Sequence, residues 1–297
     1  MSLRPIMLTR PPVEIMTNDG FWDELIEGGV KDVCVSWMTF LNEAESGEPL
    51  PSHEEARPRV LSFFDNKGGT YEYIPVINPD NKLYEGVALK PPHRSNEYNP
   101  LFTELYGAFE RAKSKGINLY LFDDKSYFEE VGYPANTDGS RGFQCWNNPE
   151  VAEYLIARTR DYANQLPMFS GIVLDGPDYK WEIAPGERDD LFAEQCICNY
   201  CANAAQEMGL DLMNMIEALG AFKLELQQLD DEKVEGFLLT TKGFLGAVDW
   251  WLSHPELLNL LRFKYSTIED HLKRTYEGIK GYLPEYQVMT SSRTPSY

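Results

Sequence analysis

Along this chain, short runs of apolar, β-branched residues alternate with longer stretches in which apolar positions recur at every third or fourth residue, the strand and helix periods respectively. The run Asp32-Val33-Cys34-Val35-Ser36-Trp37-Met38 reads as a buried strand. So do residues 117–122, closed by Asp123-Asp124, and Ser170-Gly171-Ile172-Val173-Leu174-Asp175. Shorter strands are expected at 4–9, 71–77 and 286–291. Between them, residues 21–27 form a helix stopped by Gly28-Gly29, and residues 100–115 place Leu101, Leu105, Phe109 and Ala112 on one stripe before Gly116. Asn148-Pro149-Glu150 has the signature of a helix start, with Asn148 as N-cap and Pro149 at the first helical position, and that helix runs to about Gln165.

Strands separated by helices imply parallel pairing through right-handed crossovers. Two stretches break the rhythm. Residues 41–98 are rich in Pro, Asn and Glu and read as a loop excursion over one end of the domain, while residues 203–282 read as a helical insertion broken near Gly209 and in the 236–246 region. The fold class expected is α/β, a TIM-like (β/α)8 barrel spanning residues 1–297 as a single domain. About five barrel-like strands are legible against the eight that closure requires. Three readings follow: a barrel incomplete at the C-terminus and belonging to a longer protein, an open sheet, or strands not visible in the pattern.

Composition narrows the function. Asp and Glu number 47 against 27 Lys and Arg, for a formal charge of -20. Nucleic acids and anionic membranes both call for a basic footprint, so neither is expected as a partner. No run of about 18 apolar residues occurs, and the first residues lack a basic region followed by an apolar stretch, which points to a cytoplasmic protein with secretion left open. Aromatic residues make up 13% of the chain, a supply of flat faces that serves sugar stacking as well as cores. Oligomerisation is compatible with all of this.

In parallel α/β folds ligands gather at the carboxyl ends of strands. The residues that follow the strands here are Trp37, then Asp123 and Asp124, then Asp175, Asp178, Tyr179, Trp181 and Glu182. Carboxylates near aromatic faces suit glycoside chemistry, in which one carboxyl protonates a leaving oxygen and another attacks the anomeric carbon or activates water. Asp175, with Asp178 or Glu182 as partner, is the catalytic candidate; Asp123 and Asp124 would bind sugar hydroxyls, Trp37, Tyr179 and Trp181 would stack, and His93 would reach the site from the excursion. The competing reading makes Asp175 the cap of a Gly176-Pro177 turn, the aromatic residues packing, and His93 a solvated loop residue.

Of the five cysteines, three fall in Cys196-Ile197-Cys198-Asn199-Tyr200-Cys201. That C-x-C-x-x-C spacing can wrap one soft metal ion, with Cys145 as a candidate fourth ligand; four sulfurs around zinc leave no open position and make a structural site. Reduced cysteines at a helix start, or a disulfide, are the alternatives. Cys34 sits mid-strand and reads as core.

Taken in order, Cys145-Trp146-Asn147-Asn148-Pro149-Glu150-Val151, Gly171-Ile172-Val173-Leu174-Asp175-Gly176-Pro177 and the 196–201 cysteines resemble segments of the barrel glycoside hydrolases, over about residues 100–205. The cysteine cluster is similar to the zinc site of family 42 β-galactosidases. The resemblance implies a carbohydrate substrate and a structural zinc. It departs at one point: that family places an Asn-Glu pair at the end of the fourth strand, whereas Asp175 is followed by Gly176-Pro177, so the acid/base assignment does not carry over. Other barrel glycosidases use an Asp nucleophile at this strand end, which Asp175 matches. A non-catalytic carbohydrate-binding barrel and a zinc-stabilised interaction module, with the 203–282 helices as its surface, are the other readings. A catalytic zinc enzyme is disfavoured, because the thiol cluster lacks the H-x-E arrangement of zinc deaminases and the chain has no H-E-x-x-H.

Overall fold

The computed structural model describes residues 6–9, 16–36, 38–40, 73–91, 93–94, 96–123, 145–175, 196–228, 235–236 and 243–291. It divides into two compact units. Met1–Ser126, Tyr154–Gly176 and Tyr276–Tyr297 make the first; Tyr127–Glu153 and Pro177–Thr275 make the second.

In chain order the elements are β1 (Ile6–Thr9), α1 (Asp19–Glu27), β2 (Asp32–Ser36), β3 (Met38–Phe40), β4 (Tyr73–Pro75), α2 (Asn99–Ser114), β5 (Asn118–Asp123), α3 (Pro149–Gln165), β6 (Phe169–Asp175), α4 (Asn199–Glu207), α5 (Leu212–Gln227), α6 (Gly243–Ser253), α7 (Pro255–Tyr282) and β7 (Gln287–Ser291). The first unit is built on a five-stranded sheet ordered β1-β2-β5-β6-β7, in which every pairing is parallel. Strand order follows chain order without reversal. A doubly wound sheet reverses at a switch point, and none occurs among the described residues. The protein is therefore a mixed α/β fold with a parallel, sequentially ordered sheet. The β3–β4 pair is a separate antiparallel ribbon.

Register sorts the sheet positions into two sets. Cys34 pairs with Tyr120 and Tyr120 with Gly171; Ser36 pairs with Phe122, Phe122 with Val173 and Val173 with Met289. Within this set Cys34, Tyr120, Phe122 and Val173 form a small buried cluster. The alternate set contains Val35, Leu121 and Ile172, joined by the same register. Helix α2 buries Leu105, Phe109 and Ala112 of the expected stripe, but Phe102 and Ala108 join them while Leu101 stays half-buried, and Phe109 meets Phe169 of β6 edge-on at 5.1 Å. Gly116 turns α2 into β5 with φ 93°, a conformation open to glycine at no steric cost. At Gly171 a Cβ would fall on the Gln287 carbonyl oxygen, so the missing side chain lets β7 approach β6.

The expected excursion is tied down over its second half. The guanidinium of buried Arg94 donates to the carbonyls of Pro75 (2.9 Å) and Val76 (2.8 Å) and lies 3.7 Å from the centre of the Phe102 ring. Asp161 on α3, fully buried, accepts from the Asp80 amide (3.0 Å), the Tyr84 hydroxyl (3.2 Å) and Gln165 (2.7 Å). A buried carboxylate is tolerated here because three donors replace its water.

Among its described residues the second unit is helical. Its core holds Cys145, Cys196 and Cys201 together with Ala205, Leu212, Met215, Ile216, Leu219, Leu257, Leu260 and Phe263. Among the described residues the long helical stretch holds the helices α4 to α7 and a helical fragment at 235–236. Gly209 at φ 70° ends α4, as the sequence suggests, and His254 separates α6 from α7, which begins at Pro255. The leucine-rich run divides: Leu257 and Leu260 are buried, whereas Leu252 is 67% exposed.

Candidate metal centre and strand-end carboxylates

Two short turns assemble the cysteines. In the first, the Asn148 amide donates to the Cys145 carbonyl at 2.9 Å, and the Asn148 side chain accepts the Glu150 amide at 3.1 Å, capping α3. Cys145 is thereby fixed just ahead of a helix. In the second, Cys198 occupies the N-cap position of α4 in extended backbone (φ -68°, ψ 167°), and Cys201 lies in the first turn of that helix. Positions three apart near a helix start share a face, which brings Cys198 and Cys201 together, with Cys196 arriving from the extended segment before them.

The four Sγ atoms of Cys145, Cys196, Cys198 and Cys201 all lie within 4.8 Å of one another. Cys145 Sγ is 3.5 Å from both Cys198 Sγ and Cys201 Sγ. A zinc–sulfur bond of ~2.3 Å in a tetrahedron sets the sulfur–sulfur edge at about 3.8 Å, so these four donors fit a single tetrahedral ion. All four are free thiols; Cys198 is half-buried and the rest are buried. Their proton affinities diverge. Hydrogen bonds from Cys145, Cys196 and Cys201 hold Cys198 far below the ordinary thiol range, and hydrogen bonds to Cys196, Cys198 and Cys201, helped by burial, hold Cys145 far above it. Four thiols packed this tightly cannot all ionise without mutual repulsion; a dication between them would remove that conflict, with release of the thiol protons.

The turn carrying Cys145 also meets α7. Asn147 Nδ2 donates to Cys201 Sγ at 3.4 Å and to Thr267 Oγ1 at 3.2 Å. One turn further along α7, the buried His271 ring stands edge-on to Trp146, with centroids 4.7 Å apart. Burial, reinforced by the charge of Arg274 and opposed by a hydrogen bond to the Trp146 backbone, pulls the His271 imidazole down to about 4. The sequence offers no role for His271, because nothing in its neighbours along the chain signals one.

At the strand ends the outcome is different. The last residues of the five sheet strands are Thr9, Ser36, Asp123, Asp175 and Ser291, a uniformly polar rim. Asp123 pairs in register with Leu174, whereas Asp175 pairs with Ser291 and shares the alternation set of Phe122 and Val173. The two neighbouring carboxylates therefore belong to opposite sets of the sheet. Asp123 is buried and ion-paired with Arg158 of α3. Burial pulls the Arg158 guanidinium's proton affinity down, and the Asp123 carboxylate beside it more than offsets this, so the net direction is up.

Of the other expected site residues, His93 is exposed, and its neighbour Arg94 is the residue that the fold engages. Trp37, Asp124, Asp178, Tyr179, Trp181 and Glu182 lie outside the described residues. Cys34 is buried as expected, its thiol pushed up to about 12 by burial and by nearby Asp32.

No family model matches the sequence, and no curated protein sequence matches it. Among solved structures the chain is similar to alpha-L-fucosidase isoenzyme 2 from Paenibacillus thiaminolyticus, at 11% sequence identity and a TM-score of 0.45. The match covers 98% of this chain and 33% of that one, so the chain spans about a third of the length of the fucosidase. Among the described residues no helix is long and apolar enough to cross a membrane.

Proposed function

We propose that this chain is a glycoside hydrolase built on a (β/α)8-type barrel, with a structural zinc held by Cys145, Cys196, Cys198 and Cys201. The observation that carries the enzymatic reading is the place of Asp175: the final residue of β6, a strand paired on both sides within a parallel sheet, in register with Ser291. Ligands of parallel α/β folds bind at that end. Sequential strand order supports a barrel over a doubly wound sheet.

In this reading Asp175 is the nucleophile or the acid/base, and Asp178 or Glu182 supplies the second carboxyl. Asp124, Trp37, Tyr179, Trp181 and His93 line the sugar site. Asp123 takes a different part from the one its sequence position suggests: paired with Arg158, it positions the β5 end, and Asp124 is left to meet sugar hydroxyls. Zinc closed by four sulfurs has no position for water and takes no part in hydrolysis.

The test is turnover of a panel of aryl glycosides by the chain and by Asp175→Asn. Activity on at least one glycoside, lowered by several decades in the variant while its circular dichroism is unchanged, is the expected result. Equal turnover in the two proteins would remove Asp175 from the chemistry.

A further inference from the structure

Asn147 touches both the cysteine cluster and α7 through the same group. Its side-chain amide has two hydrogens, one directed to Cys201 Sγ (3.4 Å) and the other to Thr267 Oγ1 (3.2 Å). Thr267 is buried, and four residues on along the same face of α7 His271 packs on Trp146. The turn that delivers Cys145 is thus gripped by α7 at two successive positions, and one of the two grips includes a sulfur of the cluster.

We infer that Asn147 is a positioning residue for the metal: its amide holds the Cys201 sulfur at the ligating distance, and through Thr267 it makes the docking of α7 depend on the ion. The physical reason is that a metal-bound sulfur is a full hydrogen-bond acceptor, whereas a thiol without the ion is a weak one. When the ion leaves, the Asn147 amide loses a charged acceptor, and the Thr267 bond loses the partner that fixed the amide plane. Groups that orient metal ligands in this way typically change affinity by about 10- to 100-fold when removed. The inference rests on the proposal that the four cysteines hold zinc, and it adds the residue that connects the ion to a helix outside the cluster.

The test uses the full chain loaded with zinc or with cobalt(II), compared with Asn147→Ala and with Thr267→Val, which keeps the shape of the side chain and removes only the far anchor. Zinc affinity is measured by chelator competition, the sulfur-to-cobalt charge-transfer band by absorption, and amide exchange along α7 by mass spectrometry. Expected are an affinity lower by about 10- to 100-fold in Asn147→Ala with a shifted cobalt band, an intermediate loss in Thr267→Val, and faster exchange around Thr267 in the metal-free wild type. If the wild type binds neither zinc nor cobalt, the metal proposal itself fails and takes this inference with it. If the wild type binds and both variants match it in affinity and spectrum, only the inference is overturned. It is overturned equally if metal removal leaves exchange at α7 unchanged. Should Asn147→Ala not fold, the Thr267→Val comparison decides.

Discussion

Arg158 in the middle of α3 and Asp123 at the end of β5 form an ion pair in which the side chains are only 3% and 2% exposed. Neither charge reaches solvent, so each stands in a site where the other is its main ionic compensation. Asp123→Ala removes the ionic partner of the guanidinium, and Arg158→Ala removes that of the carboxylate. Each single change is expected to lower the unfolding free energy by about 3–5 kcal/mol, and the double Asp123→Leu/Arg158→Met change by much less than the sum. Urea titrations of the three variants measure this; additive losses would show that the two residues act independently.

His271 links stability to pH. Its imidazole is pulled from the ordinary 6.5 to about 4, chiefly by burial. Between those values the unfolded chain binds a proton that the folded chain refuses, so stability contributed by this residue is complete above pH 6.5 and falls as the pH drops toward 4. The loss across the window is about 3 kcal/mol. In His271→Gln that part of the acid slope should vanish. An imidazole carbon resonance that titrates near 6.5 in the folded protein would contradict the assignment.

Metal removal should act on the second unit and leave Cys34 untouched. Elemental analysis is expected to find one zinc per chain, lost in Cys145→Ser, with a lowered melting temperature for that variant and for the chelated wild type. Cys34, whose thiol is pushed up to about 12 by burial, should resist alkylation until the chain unfolds. Labelled peptides resolved by mass spectrometry separate the two classes of thiol; early labelling of Cys34 would be inconsistent with its burial.

Two glycines touch their neighbours differently. At Gly171 an added Cβ meets the Gln287 carbonyl, which is backbone, whereas at Gly278 on α7 it meets the Cδ1 end of the Ile156 side chain. Backbone cannot step aside without shifting β7; a side chain can be shortened. Both Gly171→Ala and Gly278→Ala should destabilise by about 1–3 kcal/mol, and Ile156→Ala should rescue the second alone. Melting curves of the single and paired variants decide. Rescue of neither, with Gly278→Ala still destabilised, would mean the crowding lies elsewhere.

How much of this can be read from the chain varies with the range of the interactions. The strands expected at 32–38, 117–122 and 170–175 are found at 32–36, 118–123 and 169–175, Met38 passing to the separate ribbon; they and the helices around them follow from apolar period, an N-cap asparagine and stopping glycines, all local signals. The C-x-C-x-x-C cluster is legible because three ligands sit within six residues; Cys145, dozens of residues earlier, joins it as expected because few other thiols exist to complete four. Asp123 shows where reading stops. Adjacent aspartates at a strand end look alike in sequence, and whether Asp123 meets a ligand or a helix depends on register and on Arg158, thirty-five positions away. Arg94 and Asp161 are invisible for the same reason: they hold backbone groups brought close only by the tertiary fold.

Arg94 also makes the segment between Val76 and Phe102 a reporter of its own opening. Lys82 stands at the surface, open to a protease specific for basic residues, while the Arg94 side chain is sealed between two carbonyls and an aromatic ring. The peptide bond after Arg94 then acts as a timer: its cleavage rate counts the openings, local or global, in which those two carbonyls let go.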